Sequence, residues 1–222
     1  MLNLQGSIIA ACFLQMKGNY NNIAPYYDRL SRIIFGHAIV NAHRWLAQFI
    51  TTNTSILIAG GGTGWILEEI AKRHPEGLCI TYVDISEKMI ALSKKKQVGK
   101  NQVVFINEPI QNVTFHQQFD VVMTPFVLDN FSEDTTLRIF RKIDEHLIPG
   151  GLWLFTDFQL AGKHQLWQKP LLKMMYFFFR VVCGIEAKQL PGTNTLFNQY
   201  NYKQISAKTF FSNFICALVF KK

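Results

Sequence analysis

The sequence predicts an α/β fold: a doubly wound, mostly parallel seven-stranded sheet with an N-terminal helical cap. Three observations carry this. Apolar runs alternate with amphipathic ones from Ser55 to Asp157, the pattern of βαβ units around a parallel sheet. The first run ends in a glycine cluster, Gly60-Gly61-Gly62-Thr63-Gly64. The chain closes on two apolar segments, Tyr202–Phe211 and Phe214–Phe220, which read as a hairpin turned at Ser212-Asn213.

Taken in order, residues 1–19 read as an extension outside the fold. Ile8 to Leu14 is apolar and Ile9-Ala10-Ala11-Cys12 faintly resembles a lipoprotein cleavage site. No Lys or Arg precedes that run, however, and it is short for a signal peptide. Met16, followed by Lys17-Gly18-Asn19, reads as the real start. Residues 20–53 form the cap, with two helices between Tyr20 and Ile50 broken near Gly36. Residues 54–157 form the core, with strands at Ser55–Ala59, Leu78–Val83, Val103–Ile106, Phe119–Thr124 and Leu152–Thr156. These runs are rich in Ile, Val and Phe, as strands buried on both faces should be. Helices fill Trp65–Arg73, Glu87–Lys96 and Glu133–His146, with Ser86 and Ser132 as N-caps of the last two. Pro149-Gly150-Gly151 stops the third helix and turns into the fifth strand. Residues 158–201 read as a substrate-lid insertion carrying an apolar helix over Lys163–Gly184, and 202–222 as the terminal hairpin. The apolar stretch Leu171–Ile185 contains Lys173 and Arg180 and falls short of the roughly 20 residues a spanning helix needs, so no transmembrane segment is expected.

Composition narrows the function classes. With 49% hydrophobic, 14% aromatic and 17% charged residues, the 222-residue chain is too apolar for a disordered or solvating role. Its nineteen phenylalanines call for a large core, an apolar pocket, or both. The net charge of +8 favours anionic ligands, nucleic acid or a membrane surface without deciding the fold. Cys12, Cys79, Cys183 and Cys216 lie far apart, which argues against a disulfide framework and fits reduced thiols in a cytoplasm. The histidines show no metal-ligand spacing, and no metal is expected.

Glycines at a strand–helix turn let a ligand approach the backbone without Cβ obstruction, although a plain turn would use them too. The nicotinamide and flavin fingerprint is GxGxxG, which counted from Gly60 would require glycine where Trp65 stands. The spacing here is GxGxG, at Gly60, Gly62 and Gly64, which makes an oxidoreductase the weakest reading. Asp84 closes the second strand in Tyr82-Val83-Asp84. A carboxylate there can accept both hydroxyl protons of a ribose, or serve only as a turn residue.

At these residues the sequence resembles the class I S-adenosylmethionine-dependent methyltransferases. The matching segments are the glycine loop, Val83-Asp84-Ile85-Ser86 with Met89, Phe119-Asp120-Val121-Val122, and Leu147-Ile148-Pro149-Gly150-Gly151. They stand in the family's order over residues 55–157. Tyr20 to Ser31, followed by Phe35-Gly36, resembles the opening of the ubiquinone and menaquinone biosynthesis methyltransferases; residues 158–222 do not match that group. The resemblance implies a Rossmann-like methyltransferase fold whose last strand is antiparallel, with S-adenosylmethionine as cofactor. It implies that Gly60, Gly61, Gly62 and Gly64 pass close to the methionine and ribose parts, that Asp84 holds the ribose, and that Ile85 and Met89 pack on the adenine. The acidic residue that ends the family's third strand would fall at Pro109, with Glu108 as its substitute and Ile110 beside the ring. Tyr20 and Tyr27 would be lid contacts, and Thr124 would touch the cofactor from the fourth strand.

The methyl acceptor is expected to be a small, apolar or aromatic molecule. Asp129, Asp157 and His164, near the carboxyl ends of strands four and five, are the candidates for a general base, each with a cap or turn role as its alternative. Thr124-Pro125-Phe126 lacks the second proline and the leading Asn or Asp of amino-directed nucleic-acid methylases. Other readings stay open: an RNA or protein methyltransferase, motivated by the +8 charge, and a non-catalytic S-adenosylmethionine-binding module, motivated by Ile58 and Pro109 at positions where the family favours acids. Weak membrane-surface contact and a homodimer also fit a basic, aromatic-bearing exterior.

Overall fold

Most of the apolar runs become strands because their Ile, Val and Phe side chains are buried on both faces of one sheet; Gln102–Ile106, expected to be buried likewise, lies at the sheet edge and leaves Val104 60% exposed. In the computed structural model, which describes residues 20–222, the strands are β1 (Ser55–Ala59), β2 (Cys79–Val83), β3 (Gln102–Ile106), β4 (Phe119–Pro125), β5 (Leu147–Phe158), β6 (Lys203–Phe210) and β7 (Ile215–Lys221). The expectations for residues 1–19, including the start at Met16, lie outside the described residues. The sheet order is β3-β2-β1-β4-β5-β7-β6. Strands β1 to β5 pair in parallel, whereas β7 runs antiparallel to both β5 and β6. The chain reverses direction across the sheet between β1 and β4, and their carboxyl ends therefore flank the crevice where ligands bind in open sheets of this kind.

Helices α1 (Ala24–Phe35) and α2 (Ala38–Leu46) form the cap, broken at Gly36 (φ +58°), as the sequence predicts. Helix α3 (Trp65–Arg73) follows the glycine loop. Helices α4 (Glu87–Ser93) and α5 (Glu133–His146) start at the expected caps, Ser86 accepting from the Met89 N–H at 3.2 Å and Ser132 from the Thr135 N–H at 3.3 Å. Helix α6 (Gln165–Cys183) is the apolar helix of the insertion.

Most boundaries stand within one or two residues of the sequence reading; two move further, and one helix was not expected. Helix α4 ends at Ser93 rather than Lys96, because the chain tightens there: the N–H groups of Lys95 and Lys96 donate three residues back, to Leu92 and Ser93. Strand β5 begins at Leu147, ahead of Pro149-Gly150-Gly151. Its register against β4 slips between Phe119 and Val121, which lets the glycine pair run within the strand. A side chain on Gly151 would sit 2.9 Å from the Asp120 carbonyl, so only glycine fits. Helix α7 (Thr193–Gln199) had no signal in its polar sequence. It is held by buried Phe197, whose ring stacks on Phe220 at 3.7 Å and meets Phe140 and Trp153 edge-on. That aromatic cluster accounts for part of the phenylalanine content.

Each face of the sheet carries a core. One packs the cap, α3 and the inner side of α6 on Ile56, Ile58 and Met123; the other packs α5 and α7 on Leu57, Val122 and Trp153.

Candidate functional site

The glycine loop bends so that its backbone faces Asp84. The Gly60 N–H donates to the Val83 carbonyl at 2.7 Å, continuing the β1–β2 pairing past the strand end. One turn on, the Gly62 N–H donates to Asp84 Oδ2 at 3.0 Å, while Asp84 Oδ1 accepts from the Ser86 N–H at 2.8 Å. The Tyr82 hydroxyl donates to the Gly62 carbonyl at 2.8 Å and fixes the loop from below. Burial outweighs the two N–H donors and pushes the Asp84 carboxyl up to about 6.

The glycines do different work. A Cβ on Gly60 would collide with Val127, one on Gly61 with Tyr82, and one on Gly64 would lie 2.8 Å from Ser93 of α4. Those three are required by packing. Gly62, at φ +61°, has nothing within 4 Å of where its Cβ would stand. Beside its backbone, facing the cap, is a cleft lined by Tyr27, Asp28, Arg32, His43, Trp65 and Phe126.

The N-terminal segment is tied at three points to the loops that follow β1, β2 and β4. The Tyr20 hydroxyl donates to Asn130 Oδ1 at 2.6 Å, Ser86 Oγ to Asn21 Oδ1 at 2.7 Å, and Thr63 Oγ1 to Asp28 Oδ1 at 2.6 Å. Tyr20 also meets Tyr27 edge-on and tilts against Phe179 of α6. Burial, then the charges of Tyr27 and Asp129, raise the Tyr20 phenol well above its ordinary value.

Of the adenine-side residues, Met89 and Ile110 are buried and Ile85 is half-buried. Glu108 is exposed, and its charge acts on Lys142. The residue that does reach the Asp84–Ile85 backbone is Asn107, directly after β3, whose Nδ2 donates to both carbonyls at 3.0 Å. The sequence reading passed over it in seeking an acid. Thr124 needs correcting: it is wholly buried, with its hydroxyl accepting from the Trp153 indole at 2.9 Å, so it lies in the core and presents no surface to the cleft. The strand's two-residue alternation puts it on the same face as Val122.

Two of the three candidate bases come together. Asp129, in the turn after β4, donates its N–H to Asp157 Oδ2 at 3.2 Å; Asp157 Oδ1 accepts the Phe158 N–H at 2.8 Å. The two carboxyl groups lie close enough for the charge of one to act on the other. Burial pushes Asp129 up to about 7, and burial plus the Asp129 charge raises Asp157 well above the carboxylate range. Burial and like-charge repulsion thus both favour the protonated form of the pair. Tyr176 of α6 faces both: burial and the two carboxyl charges raise its phenol, and its hydroxyl, on a side chain 6% exposed, has no hydrogen-bond partner. His164 lies outside this group, at the end of a 3₁₀ turn before α6.

Phe126 adopts φ +53°, a strained conformation for an aromatic residue. The Asn130 amide holds it by donating to the Phe126 and Val127 carbonyls at 3.0 and 3.2 Å. The strain turns the Phe126 ring between His43 and Phe158, at the base of the cleft. Both ring nitrogens of buried His43 lack partners, and burial lowers it to about 4. Among the described residues, Cys79, Cys183 and Cys216 are free thiols, and no cluster of His, Cys, Asp or Glu is arranged to hold a metal ion.

Comparison with known proteins agrees with this geometry. A family model described as a methyltransferase domain matches residues 56–151. A malonyl-[acyl-carrier protein] O-methyltransferase from Priestia megaterium is 30% identical over 146 residues, covering 64% of this chain and 51% of that protein. The chain thus spans about half the length of that relative. A ubiquinone/menaquinone biosynthesis C-methyltransferase from Geotalea daltonii is 27% identical over 193 residues, covering 84% of this chain and 76% of its own. Among solved structures, N-methyltransferase NodS from Bradyrhizobium japonicum, in complex with S-adenosyl-L-homocysteine, shares the fold with a TM-score of 0.63 at 13% identity, over 85% of this chain and 87% of that one. Sheet order, glycine loop and motif sequence agree with these matches: residues 56–151 match a methyltransferase domain, and the chain is similar to class I S-adenosylmethionine-dependent methyltransferases such as the ubiquinone/menaquinone biosynthesis enzymes.

Proposed function

We propose that the chain transfers a methyl group from S-adenosylmethionine to a small apolar or aromatic acceptor that carries a hydroxyl or comparable proton-bearing nucleophile. The observation that carries the cofactor half is the open space beside Gly62, whose N–H is held to a buried carboxylate at the end of β2. The residues fit the group. Asp84 retains lone pairs for ribose hydroxyls, Gly60 to Gly62 present bare backbone, and Ile85, Met89 and Ile110 supply an apolar wall with Asn107 at its rim. The cofactor supplies an electrophilic sulfonium methyl; the protein's part is positioning, exclusion of water and handling of a proton. Tyr20, through its hydrogen bond to Asn130, and Tyr27, packed edge-on against it, close the cap over the site.

The acceptor half rests on the Asp129–Asp157 pair and its aromatic surroundings. A singly protonated pair offers one carboxylate oxygen to take the proton of an acceptor hydroxyl as its oxygen is alkylated, with Asp157 pinned by the Phe158 and Asp129 backbone and Asp129 receiving the proton. Tyr20, Tyr176 and Phe179 frame it with aromatic surface. The domains follow as a cap over 20–53, a cofactor-binding core over 54–157, a lid over 158–201 and a closing hairpin over 202–222.

The test is methyl transfer from methyl-labelled S-adenosylmethionine to a panel of hydroxyarenes matched with the corresponding arene carboxylates. Methylation of the neutral hydroxyl compounds, reduced roughly a hundredfold or more in Asp129→Asn, is expected for loss of a general base. Preference for the carboxylates would overturn the acceptor assignment.

A further inference from the structure

Helix α6 has two apolar faces and only one of them is used. Leu172, Met175, Tyr176 and Cys183 are buried against the sheet end, over the Asp129–Asp157 pair. The opposite face carries Leu166 (90% exposed), Met174, Phe177 (70%), Phe178 and Val181 (70%). Leu166, Pro170, Met174, Phe177 and Val181 recur every three or four residues, so they form one continuous stripe. Of the ten large apolar side chains exposed among the described residues, six lie on this helix, which is a concentrated patch rather than the scatter normal on a surface.

The charge on the stripe has one sign. Lys169, Lys173 and Arg180 are exposed along it, and α6 contains no Asp or Glu. The first acid after it, Glu186, is turned inward to accept from the Thr135 hydroxyl at 3.0 Å. Among the described residues no helix is long and apolar enough to cross a membrane. An apolar stripe with cationic flanks on a helix that cannot span is the pattern of a segment lying in the headgroup plane. Elsewhere, cap helix α1 carries exposed Tyr26 and Ile33 and no exposed acid.

We propose that the outer face of α6 docks the protein on an anionic lipid bilayer. Charge complementarity selects that occupant: a second copy of the same face would set its lysines and arginine against themselves. Docking places the surface next to the bilayer directly over the site on the helix's inner side. It does not depend on the methyl-transfer reading.

The experiment is flotation of the full chain with phosphatidylcholine vesicles, with and without phosphatidylglycerol, alongside a parallel titration with S-adenosylhomocysteine that reports separately on the cofactor site. The protein is expected to float with the anionic vesicles, less with the neutral ones, and less as salt rises. Lys169→Gln and Lys173→Gln should each weaken partitioning roughly fivefold. Leu166→Ser/Phe177→Ser/Val181→Ser should weaken it by more than about a hundredfold. If the triple variant melts early, Phe177→Ser alone carries the test. Failure to float with anionic vesicles, flotation indifferent to the apolar substitutions, or self-association through this face in place of vesicle binding would each overturn the proposal.

Discussion

The Gly62 amide and the Asp84 carboxylate are bonded across 3.0 Å, from different strand ends, with the space beyond Gly62 open. This one bond couples the first βα turn to the end of β2. The other Asp84 oxygen is held by Ser86, so the carboxylate cannot swing away from the loop.

Removing the carboxylate should therefore uncouple both elements. Asp84→Ala is expected to weaken S-adenosylmethionine binding by about 1–3 kcal/mol, the usual cost of losing a charged hydrogen-bond partner. Asn107→Ala, which leaves the carboxylate but frees the Asp84–Ile85 backbone, should cost about 1 kcal/mol. Calorimetric titration of the two variants checks the order; equal losses would show that Asn107 matters as much as the carboxylate it supports.

The glycines separate packing from ligand access. Gly60→Ala should lower the melting temperature sharply, because its methyl would meet Val127. Gly62→Ala meets no atom and should cost only about 1–2 kcal/mol for its left-handed backbone, while Gly62→Val should abolish cofactor binding. Thermal melts and titrations of the three variants test this split.

The carboxyl pair makes stability depend on pH with a definite sign. A folded-state pKa raised above the unfolded value means that the native protein holds its proton more tightly. The contribution is full below the unfolded carboxyl pKa and is lost as pH rises toward the folded value, about 7 for Asp129. Asp129→Asn should thus melt higher than the parent at pH above about 7, by about 2–4 °C for each kcal/mol relieved, with the difference shrinking as pH falls. Melting curves across that range suffice.

His43 acts in the opposite sense. Its pKa is lowered to about 4 by burial, so folded-state stability is lost as pH falls from the ordinary histidine range toward that value. His43→Leu removes two unpartnered buried nitrogens and should flatten this acid limb, adding about 1–3 kcal/mol. A parent and variant that lose stability equally on acidification would contradict the assignment.

What could be read in advance was local. A glycine cluster after an apolar run, Asp84 at a strand end, and Ser86 and Ser132 ahead of helices are each signalled within a few residues, and the structure has the corresponding loop and caps. The Asp129–Asp157 contact depends on the β4–β5 register, which slips by a bulge that no local pattern marks. Thr124 shows the same limit on a smaller scale, since one residue of strand phase decides whether a side chain meets the cleft or the Trp153 core. Tyr176 and Asn130 enter through tertiary placement alone, and α7 through a single buried Phe197.

The central claim is that the Gly62–Asp84 cleft holds S-adenosylmethionine. Calorimetric titration of the purified chain with S-adenosylmethionine and S-adenosylhomocysteine, with NADH as control, tests it most directly. Saturable binding of both sulfur ligands, diminished in Asp84→Ala and absent for NADH, is the predicted result. Binding of NADH instead, or sulfur-ligand binding unchanged in Asp84→Ala, would contradict it.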